Sequence, residues 1–366
     1  MPTPRILILV PTFQLHDAVG HDVLGMREVY RDAGYDVAVW SQFVHPLCQP
    51  FTGTVHGLGG PWDDPDSVLI YHHAIEWDLG EKILGRAKGR VVIKHHNVTP
   101  PHFFDGYAED IREACARGLA ATDRLAQIPG VTIWGDSRFN CDDFTRRGVD
   151  PSRCRSVPPC HRIEDLAREP LDVVVTGAFR GCGPMLLFVG SFRPNKGHAK
   201  ALGVFSDFLQ RSGRLAHLLL VGSLDPRLTP YVDDIQDSAR RLGISDSIHI
   251  ATSVNPMQLR AFYTLADLFL CVSEHEGFCV PLVEAMAFRV PIVAWNTSAV
   301  GETMDGVGTA IDEYDQAALA EAIDELMQDP LRAIAFSDKG RQRYEKVFHP
   351  QVIRRRLLEL LEEVTV

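Results

Sequence analysis

The stretch Ser273–Ala294 reads S-E-H-E-G-F-C-V-P-L-V-E-A-M-A-F-R-V-P-I-V-A and decides how the second half of the chain folds. The apolar run Leu268–Val272 precedes it and indicates a buried strand. Leu282–Phe288 favours a helix whose first turn suits Pro281, and the apolar run Val290–Ala294 indicates the next strand. The order strand, loop, helix, strand is typical of a parallel α/β sheet.

Two glutamates, Glu276 and Glu284, stand on either side of a turn that Gly277 makes easy. In an open α/β sheet, ligands lie beyond the carboxyl ends of the strands, and anions favour helix N-termini. One glutamate precedes the predicted helix and the other lies about one turn inside it, so both can point at one ligand. Each carboxylate accepts hydrogen bonds from a pair of hydroxyls. The stretch therefore predicts a site for a polyol attached to a phosphate.

The composition of the chain limits its class. At 366 residues the chain exceeds what one hydrophobic core usually organises, so two domains are expected. A net charge of −11 argues against nucleic acid as a partner, although a local pocket can still be basic. The 8 cysteines include no C-x-x-C pair, and we find no secretory leader and no segment of membrane-spanning length. We therefore expect a reduced, cytoplasmic protein.

The first half of the chain opens with the pattern of a doubly wound domain. Arg5–Val10 indicates a strand, Pro11–Gly20 a loop, Asp22–Ala33 a helix and Val37–Trp40 the next strand. Gly20 is the only glycine of that loop, so the G-x-G-x-x-G fingerprint of dinucleotide-binding domains is absent there. This absence weakens an interpretation of the chain as a dehydrogenase.

Polar residues follow the predicted strand Val91–Lys94, in the run H-H-N-V-T-P-P that begins at His95. Adjacent histidines point in different directions, so we expect at most one of His95 and His96 to face a given ligand. No acidic or cysteine residue lies nearby at metal-ligand spacing, so we expect no zinc site. Substrate contact or proton handling and a structural role both remain open for these histidines.

Two charged segments of the first half each allow two interpretations. Asp64 and Asp66 form a D-x-D pair of the kind that binds divalent metals, but the proline-rich setting favours an acidic turn. The arginines between Arg138 and Arg162 leave peripheral membrane contact open, at the inner face of the membrane. The aspartates among them favour a solvated surface of mixed charge.

The second half of the chain restarts the alternation of strand and helix. Met185–Val189 indicates a strand, Gly190–Gly197 (G-S-F-R-P-N-K-G) a basic loop and His198–Ser212 a helix. A glycine-rich segment precedes this pattern and indicates a linker. We predict an N-terminal domain at residues 1–168, a linker at 169–184, a C-terminal domain at 185–348 and a terminal helix within 349–366.

Positive charge and helix N-termini come together in the loops of the predicted C-terminal domain. Arg193 and Lys196 lie in the basic loop, and a second short helix is predicted to begin near Ala299. Cationic side chains and oriented backbone amides would together hold a diphosphate. Taken alone, Arg193 and Lys196 would be interpreted as solvated loop charges. The neighbouring glutamates favour the diphosphate site.

On these residues the sequence resembles the retaining glycosyltransferases of family 4. The family pattern E-G-F-G-x-P-x-x-E-A-M-A-x-G-x-P-V-V-A matches the chain from Glu276 onward, and the pairs Lys196-Gly197 and Gly301-Glu302 match as well. In the first half, three motifs resemble a bacterial subgroup that makes surface polysaccharides: D-A-V-G-H-D-V-L (17–24), Y-H-H (71–73) and H-N-V-T-P (96–100).

The resemblance implies the α/β fold called GT-B, in which two doubly wound, Rossmann-like domains with parallel sheets face each other across a cleft. It implies that Glu276 binds the hydroxyls of the transferred sugar, with the backbone amides of Gly277, Phe278 and Cys279. It also implies that Glu284 binds the ribose of the nucleotide. The terminal helix is expected to pack back on the N-terminal domain.

The resemblance further implies that Lys196 neutralises the diphosphate, with the turn at Gly190 and Ser191 as part of the donor site. His96 and the Gly20 loop would approach the sugar and the acceptor from the other domain. No metal and no further cofactor is expected, because cationic side chains and helix termini stabilise the leaving diphosphate. The implied reaction moves a hexose from a nucleoside-diphosphate sugar to a saccharide or lipid-linked saccharide acceptor, in polysaccharide or glycoconjugate biosynthesis.

The chain departs from the family pattern at three positions. Cys279 replaces the second glycine of the motif, which requires a backbone conformation that a side chain can tolerate. Arg289 replaces a glycine before the next strand. Ser191 stands where the family has an arginine, and Arg193 would substitute for it. Two alternatives stay open: a sugar-nucleotide epimerase or phosphorylase on the same fold, because fold alone does not determine chemistry, and a non-catalytic nucleotide-sugar binding protein, which the departures at Ser191 and Cys279 suggest.

Overall fold

The computed structural model describes residues 4–14 and 17–365. Residues 1–3, 15–16 and 366 lie outside the described residues, and with them part of the predicted loop Pro11–Gly20. The strands are β1 Ile6–Phe13, β2 Val37–Val44, β3 Thr52–Thr54, β4 Val68–His73, β5 Arg90–His95, β6 Thr132–Gly135, β7 Cys154–Ser156, β8 Met185–Val189, β9 His217–Gly222, β10 Ile248–Thr252, β11 Leu268–Cys271, β12 Ile292–Trp295 and β13 Thr309–Ile311.

The helices alternate with these strands along most of the chain. They are α1 Ala18–Asp32, α2 Asp78–Leu84, α3 Glu109–Leu125, α4 Arg138–Thr145, α5 Ile163–Arg168, α6 Val173–Ala178, α7 His198–Ser212, α8 Thr229–Leu242, α9 Pro256–Leu265, α10 Val280–Ala287, α11 Val300–Met304, α12 Gln316–Gln328, α13 Pro330–Arg343 and α14 Pro350–Thr365.

The chain divides into two compact units, each built on its own sheet. The first unit contains the chain up to His102, then Asp110–His161 and the segment from Phe348 onward. The second contains Phe103–Glu109 and Arg162–Val347. The predicted boundary at residue 168 and the predicted linker 169–184 both fall inside the second unit, where α5 and α6 form.

The sheet of the first unit has the strand order β3-β2-β1-β4-β5-β6-β7, and its strands pair in parallel. Side chains of β1 alternate between the two faces of this sheet, and both faces are covered. Ile6 and Ile8 pack in a core that includes Leu357 of α14, whereas Leu7 and Leu9 pack in the core of the opposite face. The C-terminal helix is thus part of the first hydrophobic core.

The sheet of the second unit has the strand order β10-β9-β8-β11-β12-β13, again with parallel pairing. The order changes direction between β8 and β11, which makes their carboxyl ends the switch point where ligands bind in such sheets. The two doubly wound parallel sheets predicted from the sequence are therefore confirmed.

The first loop of the chain is shorter than the sequence predicts. Strand β1 continues to Phe13, and α1 begins at Ala18 and not at Asp22. The helix begins early because the Asp17 carboxylate accepts a hydrogen bond from the backbone N–H of Gly20 at 2.6 Å and caps the first turn. Gly20 therefore lies inside the first turn of α1 and not in a loop. A Cβ on Gly20 would lie 1.7 Å from the backbone oxygen of Gln14, so only glycine fits there.

Leu357 provides a test of how α14 contributes to the first unit. Its side chain is fully buried in the same core as β1. We expect Leu357→Ala to lower the free energy of unfolding by about 2–5 kcal/mol, because the substitution removes apolar contacts and leaves a cavity. Urea unfolding measures the change, and Arg355→Ala, at an exposed position of the same helix, is the control. Equal stability of the two variants would contradict the packing.

Candidate functional site

The loops after β8 and β11 lie side by side because these two strands pair, with Leu186 opposite Leu268. Gly197 permits their close approach. Its φ of +78° is in the left-handed region, and a Cβ there would lie 2.2 Å from the carbonyl oxygen of Val272. The basic loop after β8 is therefore held against the end of β11, where the stretch Ser273–Ala294 begins.

Lys196 and Glu276 form the central contact of these two loops. The Lys196 Nζ atom lies 2.7 Å from Oε1 and 2.8 Å from Oε2 of Glu276. The Glu276 side chain is 7% exposed and that of Lys196 is 20% exposed. Burial lowers the pKa of Lys196, but the Glu276 carboxylate outweighs it and raises the pKa above its ordinary value. The ammonium is therefore charged at neutral pH and faces a carboxylate.

The loop that carries Glu276 is held by two residues without a predicted role, Asn195 and Ser298. The backbone oxygen of Asn195 accepts a hydrogen bond from the N–H of Glu274 at 2.8 Å, and its Nδ2 donates to the carbonyl of His275 at 3.1 Å. The hydroxyl of Ser298 accepts from the N–H of Glu276 at 2.8 Å. No spacing pattern marks Asn195 and Ser298, because their partners are backbone groups of the Glu276 loop.

Cys279 adopts the conformation for which the family pattern uses glycine. Its φ is 72° and its ψ 73°, in the left-handed region, and it stands at the N-terminus of α10. The side chain is 7% exposed. A hydrogen bond with the thiol of Cys271, together with burial, raises the pKa of Cys279 well above its ordinary value. The thiol is therefore neutral, and its hydrogen-bond partner Cys271 is the last residue of β11.

Glu284 lies in the second turn of α10, as the sequence predicts. The hydroxyl of Tyr263 donates to its Oε2 atom at 2.6 Å. Burial raises the pKa of Glu284, and this hydrogen bond lowers it in part. Tyr263 is almost completely buried, so it fixes one carboxylate oxygen of Glu284. No pattern in the sequence points to this partner, which lies on α9.

Ser191 and Arg193 stand at the start of the basic loop, beyond Gly190 at the end of β8. The backbone N–H of Arg193 donates to the carbonyl of Ser191 at 2.7 Å. The Arg193 guanidinium lies over the ring of Phe104, 6.0 Å from its centroid. Of the two cationic residues in the loop, Lys196 contacts Glu276 and Arg193 stacks on an aromatic ring.

His96, predicted to contact the sugar, lies in a buried polar cluster of the first unit. Its Nδ1 is 2.9 Å from Oδ2 of Asp136, and its Nε2 is 2.9 Å from Nδ1 of His72. Lys94 contacts the other oxygen of Asp136 and donates to the carbonyl of Val157 at 2.9 Å. Burial raises the pKa of Asp136, but His96 and Lys94 hold it well below its usual range. Gly20 also belongs to this unit, on α1.

The two charged segments with open interpretations have local partners. Asp64 accepts from the N–H of Asp66 at 3.0 Å, as an acidic turn does. Arg147 pairs with Asp143 at 2.6 Å, and Arg155 pairs with Glu363 at 2.8 Å. Within residues 4–14 and 17–365, no helix combines the length and the apolar character needed to cross a membrane.

The left-handed backbone at Cys279 leads to a stability prediction. We expect Cys279→Gly to change the free energy of unfolding by less than about 1 kcal/mol, because glycine adopts a positive φ without strain. We expect Cys279→Val to lower it by roughly 1–3 kcal/mol, because a β-branched side chain is strained there. Cys279→Ala, which removes the thiol without adding a branch, is the control in urea unfolding. A valine variant as stable as the glycine variant would contradict the backbone conformation.

The raised pKa of Glu284 predicts a pH dependence. The folded state binds a proton on Glu284 more tightly than the unfolded state, whose carboxyl titrates near the ordinary value of 4.5. The contribution of Glu284 to stability is therefore lost as pH rises from 4.5 through the folded pKa. We expect Glu284→Gln to be more stable than the unchanged protein at pH 7.5, with less difference at pH 4.5.

Urea unfolding at both pH values measures this effect, with Glu313→Gln as the control because Glu313 is exposed. A Glu284→Gln variant that is less stable than the unchanged protein at pH 7.5 would contradict this prediction. It would show that the contacts of the Glu284 carboxylate outweigh the cost of its burial.

A known protein family matches the second unit of the chain. A model of the family described as "Glycosyl transferases group 1" matches residues 177–343, which include both loops of the site. The chain is 30% identical over 340 residues to a D-inositol 3-phosphate glycosyltransferase of Segniliparus rotundus, an alignment that covers 90% of this chain and 71% of that one.

Two other relatives align over shorter regions. A D-inositol 3-phosphate glycosyltransferase of Acidothermus cellulolyticus is 29% identical over 223 residues, covering 59% of this chain and 48% of that one. A GDP-mannose-dependent alpha-(1-6)-phosphatidylinositol monomannoside mannosyltransferase of Mycolicibacterium smegmatis is 28% identical over 170 residues, covering 44% and 43%. The chain spans about half the length of these two relatives.

Solved structures share the fold over nearly the whole chain. Anabaena HepE, in complex with UDP and glucose, has a TM-score of 0.76 at 14% identity and covers 98% of this chain and 100% of that one. Sucrose-phosphate synthase from Thermosynechococcus elongatus has a TM-score of 0.75 at 17% identity and covers 98% and 99%. At these identities the likeness establishes the fold alone, and it confirms the predicted GT-B class. The family match and the relative from Segniliparus rotundus together show that the chain belongs to the group 1 glycosyltransferases.

Proposed function

We propose that the protein is a retaining glycosyltransferase that moves a hexose from a nucleoside-diphosphate sugar to a saccharide or lipid-linked saccharide acceptor. The observation that carries this proposal is the contact of Lys196 with both carboxylate oxygens of Glu276, at the carboxyl ends of adjacent strands. Among the relatives, one is a GDP-mannose-dependent mannosyltransferase and another is a D-inositol 3-phosphate glycosyltransferase. These names support a sugar-nucleotide donor and a hydroxyl acceptor here.

In this proposal Glu276 and Lys196 share the donor. An ammonium carries three N–H donors, and two of them are directed at Glu276 in the free protein, which leaves one for the diphosphate. Glu276 would accept hydrogen bonds from the sugar hydroxyls, with the amides of Gly277, Phe278 and Cys279 around it. Glu284 would accept from the ribose hydroxyls through the oxygen that Tyr263 leaves free.

The transfer step breaks the bond between C1 of the sugar and the diphosphate oxygen. The acceptor oxygen forms its bond to C1 on the same face, and its proton passes to an oxygen of the leaving diphosphate. Lys196 stabilises the charge that develops there, which is an electrostatic role of the oxyanion-hole kind. We infer that the diphosphate needs no divalent metal, and that Glu276 and Glu284 do not act as the acid and base pair of a glycosidase.

The remaining assignments complete the proposal. Gly190 and Ser191 would contact the donor, with Arg193 in place of the arginine that the family has at position 191. His96 and Gly20, in the first unit, would contact the sugar and the acceptor. We place the reaction in polysaccharide or glycoconjugate biosynthesis in the cytoplasm. Peripheral contact with the inner face of the membrane would give access to a lipid-linked acceptor.

The donor site is tested by substitution and by ligand screening. A thermal-shift screen of nucleoside diphosphates and their sugars identifies the donor, because a bound ligand stabilises the folded state. With that donor, no added divalent metal and a panel of saccharide acceptors, we expect Lys196→Ala and Glu276→Ala each to lower kcat/KM by about 10²–10³-fold. Lys200→Ala is the matched control, because Lys200 is a lysine of the same unit that pairs with Glu274 at 3.5 Å.

The outcomes separate the proposed function from its alternatives. Transfer that survives both substitutions would show that the site assignment is wrong. Conversion of the donor without an acceptor would indicate an epimerase or phosphorylase, and tight donor binding without turnover would indicate a binding protein. The anomeric configuration of the product, read by NMR, tests retention: an inverted anomer would contradict the proposed step.

A further inference from the structure

Three potential metal ligands lie together in the first unit, at the carboxyl end of its sheet. Asp22 comes from α1, His72 from β4 and His96 from the residue after β5. Their side chains are 1%, 0% and 6% exposed, respectively. Three elements that are distant in the sequence therefore direct a carboxylate and two imidazoles into one buried space.

The distances between the three ligand atoms suit one metal ion. Oδ2 of Asp22 lies 3.9 Å from Nδ1 of His72 and 3.8 Å from Nε2 of His96. The two imidazole nitrogens are 2.9 Å apart. A point equidistant from these three atoms is about 2.1 Å from each, which is the bond length of zinc to imidazole nitrogen and to carboxylate oxygen.

Neighbouring groups orient two of these side chains as the outer shell of a metal site does. Asp136 contacts Nδ1 of His96 at 2.9 Å and orients its Nε2 toward Nδ1 of His72, so that a metal ion would take the place of the proton between these two nitrogens. The backbone N–H of Cys160 donates to Oδ1 of Asp22 at 2.7 Å and fixes that carboxylate. Among the residues that the structure describes, Oδ2 of Asp22 has no hydrogen-bond partner, although it is buried.

The charges of the cluster leave room for a cation. Two carboxylates, Asp22 and Asp136, face one ammonium, Lys94, whose Nζ contacts Asp136 and lies 3.8 Å from Oδ2 of Asp22. A separation of 3.8 Å is too long for a hydrogen bond. The two carboxylates outnumber the one ammonium, so Lys94 alone cannot neutralise both, and a buried charge that is not neutralised is costly. A bound cation would balance it.

We propose that Asp22, His72 and His96 bind one divalent transition-metal ion of the zinc class, with a water molecule as a fourth ligand. Three protein ligands of imidazole and carboxylate type with one open position form a common zinc site. This inference departs from the expectation of no zinc site at His96, because the acidic partner comes from a distant helix. The donor chemistry proposed for the second unit does not depend on this ion, whereas the sugar contact proposed for His96 would be made by its ring carbons, because Asp136 and the ion would engage both ring nitrogens.

Metal content tests the proposal directly. The full chain, produced without a histidine tag, is stripped with a chelator, titrated with Zn²⁺, freed of excess metal and analysed for bound metal. We expect about one zinc per chain, and Co²⁺ in its place should give visible absorption bands of a four- or five-coordinate site. A stripped protein that retains substoichiometric zinc and shows no cobalt bands would overturn the proposal. Neither readout depends on transferase activity.

Variants then assign the ligands. We expect Asp22→Asn and His72→Gln to abolish retention of zinc, and His56→Gln, at an exposed position of the same unit, to leave it unchanged. Asp136→Asn, which weakens the contacts of residue 136 with both His96 and Lys94, should weaken zinc binding by about 10–100-fold. If the ligand variants do not fold, the cobalt spectrum and the zinc titration of the unchanged protein still test whether the metal binds. Undiminished zinc retention in folded Asp22→Asn and His72→Gln would place the metal elsewhere and overturn the assignment.

Discussion

The contact between Lys196 and Glu276 depends on the parallel pairing of β8 with β11. Parallel strands end at the same edge of the sheet, and the change in strand order between these two leaves their loops adjacent. Gly197 then allows the loops to touch, because any side chain there would collide with the end of β11. The position of two charged groups is thus set by sheet topology and by one residue without a side chain.

A buried ion pair is weak support for stability, because the cost of removing two charges from water can exceed their attraction. The Lys196–Glu276 pair is only partly removed from water, and the surrounding loop is held by other contacts of Asn195 and Ser298. A role in binding a ligand that contacts both groups therefore explains the pair better than a role in stabilising the fold. The strained backbone at Cys279 is consistent with the same view, since such strain often lies at functional sites.

The sequence predicts the strongly patterned elements well. Strand Met185–Val189 and helix His198–Ser212 have the predicted bounds, because a continuous apolar run and a glycine on each side of the helix define them. The short elements β3, β13 and α2 were missed, because three to seven residues carry too little periodicity. Helix α1 began earlier than predicted because of a single cap at Asp17.

The two polar clusters differ in how far the sequence could reveal them. The donor residues lie in the loop after β8 and in the stretch that runs from the loop after β11 into α10, so their proximity could be inferred from strand order. Asp22, His72, His96 and Asp136 are spread over more of the chain, and no spacing pattern predicts that burial will join them. Their exposure also differs: Lys196 reaches solvent and can exchange part of its contact with Glu276 for a ligand, whereas Lys94 is 0% exposed and held by Asp136. A partly exposed pair can exchange contacts with a ligand, whereas a buried polar network holds its members in place.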